Sequence, residues 1–206
     1  MTRQLDFKNT FTYPSVILLI VVNFIPIIGV IFFSWDIFSI LLLYWLESAV
    51  IGIFNILKML VVGRVKAIFF AVFFLVHYSG FMFGHFMFIN FLFNSASFDF
   101  LSFNYLNGIL LALGFLFVSH GVSFFYNFIG REEYKKSKVQ KLFSQPYKRI
   151  FVMHLVIIAS GFFFTFTGIE KNIIPLIILI IMKIFFDTVF HRTEHRVLIK
   201  NIYIKS

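Results

Sequence analysis

Six runs of about twenty apolar residues constrain this chain more than any other feature. They cover residues 11–33, 37–62, 67–93, 105–129, 150–168 and 173–190. A helix of that length pairs its own backbone donors and acceptors and crosses a hydrocarbon layer of roughly 30 Å. The expected fold class is therefore all-α: a polytopic membrane protein built as a six-transmembrane-helix bundle, one integral membrane domain over residues 1–206. The composition agrees, at 60% hydrophobic and 13% charged, where soluble proteins carry about 25% charged residues. No short apolar segment with a cleavage site precedes the first run, so a removable signal peptide is not expected.

Charge sets the expected orientation. Arg3, Lys8, Lys58, Arg64, Lys66, Arg131, Lys135, Lys136, Lys138, Lys141, Lys148, Arg149, Arg192, Arg196, Lys200 and Lys205 fall on one side of the six spans, and Lys171 on the other. Basic residues collect in cytoplasmic loops, which puts both termini in the cytoplasm and the protein in the plasma membrane, multi-pass. The same asymmetry accounts for the net charge of +9 without nucleic acid as a partner. The one long connection is a cytoplasmic loop over residues 130–148. Its basic residues alternate with Tyr134, Val139, Leu142 and Phe143, a pattern that suits either a short helix lying on anionic headgroups at the cytoplasmic face or a solvated loop. Nothing in the chain sets an oligomeric state.

Within these apolar runs sits a set of ionisable side chains. Glu47 lies in the middle of the second run, and a carboxylate there costs at least a few kcal/mol unless it faces a partner inside the protein. The later runs carry His77, His85, His120, His154 and Asp187, with Lys183 in the last run and His191 just past its end. Counting about 1.5 Å of rise per residue from the cytoplasmic ends, His77 and His120 lie at about 13–15 Å and Glu47 at about 20 Å. These three are expected to share one network near the midplane. His154, Asp187 and His191 are expected nearer the cytoplasm, and His85 nearer the outer face.

Helical spacing adds faces to these depths. Tyr44, Glu47, Ser48, Asn55 and Lys58 share one stripe, and His120, Ser123 and Asn127 another. Lys183, Asp187, His191 and His195 recur every four residues, so Asp187 and His191 stand one above the other and could grip one ion. An ion pair on a helix surface uses the same spacing. Gly80 and Gly84, four apart, permit close approach of another helix beside His77.

The segments YWLESAVIG (44–52), HYSGF (77–81), SHGVSF (119–124), PYKRIFVMHLVIIASGF (146–162) and MKIFFDTVFHRTEHR (182–196) occur together. Taken as a set, they resemble a family of prokaryotic multi-pass membrane proteins known only as a domain of unknown function. The shared pattern is a Tyr-Trp-x-Glu helix, several intramembrane histidines and a Lys…Asp…His last helix. The resemblance implies no activity; it marks Glu47, His77, His120, His154, Lys183, Asp187 and His191.

Three functional expectations follow. The first is a divalent metal site, with His77, His120, His154, Asp187 and His191 as ligands and Glu47 as a ligand or as the catalytic base on metal-bound water. Cysteine is absent, so nitrogen and oxygen donors remain, which suits Zn, Fe or Mn and a metal-dependent membrane hydrolase or oxidoreductase. The second is a transporter or proton relay through Glu47 and the histidines. The third is haem held by two histidines. Tyr44, Asn55, Lys183 and His85 are further polar-site candidates, and a structural hydrogen bond is the alternative role for each of these residues.

Overall fold

A computed structural model describes residues 25–33, 35–93 and 103–167, together with Ile181, and the described chain is helix and short turns. Helix α1 covers Ile25–Phe33, α2 Ile37–Gly63, α3 Ile68–Phe93, α4 Phe103–Val122 and α5 Val139–Thr167. Two stretches, Ile37–Leu92 and Asn107–Gly130, are long and apolar enough to cross a membrane. The first contains both α2 and α3. The runs expected at 37–62, 67–93 and 105–129 thus coincide with helices, and 11–33 does so over its described part. The expected span 173–190 lies outside the described residues apart from Ile181.

Asp36 sets the start of α2. Its backbone is extended, and its Oδ1 accepts from the Ser39 N–H at 2.9 Å and from the Ser39 hydroxyl at 2.6 Å, which satisfies orphan donors of the first turn. The helix ends at Gly63, where Arg64 takes a positive φ of 49° while its N–H still reaches the Leu60 carbonyl. A single 3-10 turn, Arg64–Ala67, leads straight into α3.

Every residue from Ile37 to Tyr44 is buried. A helix buried on all sides belongs at the centre of a bundle, and α2 packs against α3, α4 and α5. Cross-helix contacts give the directions. Trp45 reaches Met82 and Phe86, and Ser48 meets Tyr78, so α2 and α3 are antiparallel. His77 meets Tyr147 and His85 meets His154, so α3 and α5 run parallel. Trp35 faces Gly108 and Phe54 faces Phe117 and Phe124, so α2 and α4 run parallel.

Two sequence expectations change. Of the two readings of segment 130–148 the helical one holds, with a 3-10 turn over Glu133–Lys136, but the helix is continuous with the next span: α5 begins at Val139 rather than near residue 150. Leu142 is buried, Val139, Phe143 and Tyr147 pack on the same core, and Lys138, Lys141 and Lys148 stay exposed. An amphipathic face with a tertiary partner is helical without being continuously apolar. Pro146 sits inside this helix, where it lacks the N–H that would bond the Leu142 carbonyl. The second change concerns Gly80 and Gly84: among the described residues nothing comes within 4 Å of a Cβ built on either. A close approach between α2 and α3 falls instead at Gly52, where such a Cβ would lie 2.7 Å from the Tyr78 ring.

Candidate functional site

Glu47 projects from the central helix and is 7% exposed. Its Oε1 lies 3.6 Å from Arg149 Nη1. A desolvated carboxylate needs a counter-charge, and the first turns of α5 deliver one. Tyr44 and Ser48 are buried beside it on α2; the Ser48 hydroxyl donates to the Tyr44 carbonyl at 3.0 Å and lies 3.8 Å from Met153 Sδ. Tyr78 donates its hydroxyl proton to the Ser48 carbonyl at 2.8 Å. This locks α3 onto the turn of α2 that carries the carboxylate.

One layer along, α3 and α5 are joined by two histidines. His85 Nδ1 lies 2.8 Å from the Phe81 carbonyl, and His85 Nε2 lies 3.1 Å from His154 Nδ1. A carbonyl only accepts, so Nδ1 of His85 carries the hydrogen and its Nε2 offers a lone pair. His154 must then donate from Nδ1, which leaves its own Nε2 as an acceptor in the neutral form. The rings meet edge to face, with centroids 5.2 Å apart. His85 is buried and His154 exposed.

Toward the start of both helices, His77 Nδ1 is 2.8 Å from the Tyr147 hydroxyl. His77 stacks on Phe73 and meets Phe81 edge-on, while Tyr147 packs against Phe74 and Tyr78. Three polar pairs therefore follow one another along the α2–α3–α5 interface: His77 with Tyr147, Glu47 with Arg149, and His85 with His154. On α5 the levels of Tyr147 and Arg149 differ by about 3 Å of helical rise, and those of Arg149 and His154 by about 7–8 Å.

The remaining candidates lie elsewhere. His120 is half-buried on α4, its ring 6.3 Å from that of Phe54. Just after it, α4 widens into a π-helix over Ser123–Gly130, where Asn127 Nδ2 is 3.5 Å from Ser123 Oγ. Asn55 is buried, and its Nδ2 has no hydrogen-bond partner among the described residues. Lys58 sits over the Phe128 ring at 5.4 Å. Lys183, Asp187, His191 and His195 lie outside the described residues.

The expected gathering of metal ligands does not occur among the described residues. No group of three or more histidine, aspartate or glutamate side chains converges there. Of the expected ligands, His77, His120 and His154 sit on different partners: a tyrosine, a phenylalanine and another histidine. Sequence reasoning missed Tyr147, which it had counted in the loop, and Arg149, which it had counted only as a cytoplasmic basic residue. Both lie in the PYKRIF segment that begins at Pro146, and a cation immediately before an apolar run was the signal for them. A groove of about 530 Å³ between α2 and α3 is lined by Trp45, Gly52, Phe74, Tyr78 and Met82 among others. The polar atoms of Trp45 and Tyr78 are occupied by the Met82 and Ser48 carbonyls, so its walls are apolar.

The chain belongs to a family of unknown function, DUF6498, whose model matches residues 6–201. No curated protein and no solved structure matches it.

Proposed function

We propose that this member of the family is a multi-pass plasma-membrane protein that moves protons along the α2–α3–α5 interface. The observation carrying the reading is the direct imidazole–imidazole hydrogen bond between His85 and His154. Once His154 takes up a further proton at its Nε2, it can pass its Nδ1 proton to His85 Nε2 across this 3.1 Å contact, so that a charge crosses the pair and each nitrogen keeps its valence. His154 has a second nitrogen, Nε2, through which the chain can continue, while the second nitrogen of His85 is held by the Phe81 carbonyl. Glu47 and Arg149 supply a fixed pair of charges on the same interface, and His77 with Tyr147 supplies a further exchangeable hydrogen toward the start of α5. The gap of about 7–8 Å between the Arg149 and His154 levels is one that one or two water molecules would bridge.

Six spans with both termini in the cytoplasm complete the reading. Two apolar helical stretches, the alternating directions of α2, α3, α4 and α5, and the one-sided distribution of Lys and Arg support it. Lys135, Lys136, Lys138, Lys141 and Lys148 would then face anionic headgroups.

The test is proton flux in vesicles containing the purified protein, with a pH-sensitive dye inside and a potassium diffusion potential as the driving force. Wild-type vesicles are expected to change internal pH faster than empty ones, and His154→Phe and Glu47→Gln each to slow them several-fold. Wild-type vesicles that track empty ones refute the relay.

A further inference from the structure

We infer that His85 Nε2 and His154 Nδ1 form a two-nitrogen seat for a divalent transition-metal ion. Two imidazole nitrogens on one zinc-like ion at 2.0–2.1 Å stand about 3.3–3.4 Å apart at the tetrahedral angle. The observed separation is 3.1 Å, equivalent to an angle of about 100° at the ion for the same bond lengths. A shift of a few tenths of an ångström and a turn of the two lone pairs by about 35–40° away from the N···N line convert the hydrogen-bonded pair into a chelating one, with the His154 proton moving to its Nε2.

The outer contacts fit as well. Metal-bound histidines hand their other ring N–H to a carbonyl or carboxylate, which fixes the ring and the tautomer. His85 already does this with the Phe81 carbonyl at 2.8 Å. Its ring is buried while His154 is exposed, so the pair has one anchored ligand and one accessible ligand. Two imidazoles fill half of a four-coordinate shell and leave positions for water or another ligand. Neutral nitrogen donors select zinc, cobalt, nickel or copper over magnesium or calcium.

An ion in this seat displaces the proton shared by the two rings, so it would block the relay proposed above. Binding itself does not depend on that relay: it is read from a spectrum, and proton flux from vesicles, so either reading can fail alone.

The experiment uses tag-free, full-length protein in detergent, stripped with chelator and titrated with Co²⁺ for visible d–d absorption and with Cu²⁺ for nitrogen couplings in its paramagnetic resonance. One equivalent of Co²⁺ and couplings from two nitrogens are expected. His85→Ala and His154→Ala should each weaken binding by at least the 10- to 100-fold that losing an outer contact costs, roughly, while His120→Ala leaves it unchanged. Thermal unfolding without metal identifies a variant that has lost its fold, and His154→Asn then replaces it. Wild-type protein that takes up no Co²⁺, a one-nitrogen Cu²⁺ signal, or binding indifferent to both histidines overturns the assignment.

Discussion

Replacing Arg149 by Met tests whether the Glu47 pair holds α5 to the centre of the bundle. The two charged atoms are 3.6 Å apart, with the side chains 10% and 36% exposed for Glu47 and Arg149. At an effective dielectric constant of about 20 this separation corresponds to about 4–5 kcal/mol. Arg149 is partly open to solvent, and screening there reduces the figure. Leaving the glutamate buried without this cation should therefore cost about 3 kcal/mol, the lower end of what breaking a buried pair costs. For a chain of this size that is a fall in melting temperature of about 6–12 °C, measurable by thermal unfolding in detergent. Glu47→Gln together with Arg149→Met removes both charges, and the double variant should recover most of the loss, with a coupling of about 2–3 kcal/mol in the double-mutant cycle. An Arg149→Met protein within about 0.5 kcal/mol of wild type, where surface substitutions usually fall, would refute the reasoning. So would a double variant no more stable than the single one.

Gly52→Ala places a methyl group 2.7 Å from the Tyr78 ring and should cost about 1–3 kcal/mol by overpacking. Gly80→Ala meets nothing within 4 Å among the described residues and should be neutral, or stabilising by up to about 1 kcal/mol through helix propensity; the same unfolding assay ranks the two. Asp36→Ala removes the cap on α2, accepting from Ser39 at 2.9 and 2.6 Å, and should lower stability by about 1 kcal/mol, with Asp36→Asn retaining most of it. Reporter fusions at residues 98 and 170 should read external and one at residue 140 internal; an external signal at 140 would overturn the orientation.

Among the described residues the sequence by itself determined where most of the helices lie, because a long apolar run satisfies its own backbone best as a helix. Residues 37–62 and 67–93 read almost residue for residue as α2 and α3. The sequence also marked which side chains are too polar for their surroundings, and Glu47 proved to be buried on the central helix. Residues 139–149 were legible only as a short surface helix or a loop, not as the first turns of α5, because three basic residues and Pro146 interrupt the apolar pattern and what supports them is packing beneath α2 and α3. Partners were a tertiary matter too. Depth along a helix follows from counting residues, but the direction a side chain faces depends on how separate helices rotate and slide against one another. For that reason Glu47 meets Arg149, and His85, expected nearer the outer face, is buried and bonded to His154, which was expected nearer the cytoplasm. Helix existence is a local property of the chain; the meeting of two side chains 69 positions apart is not.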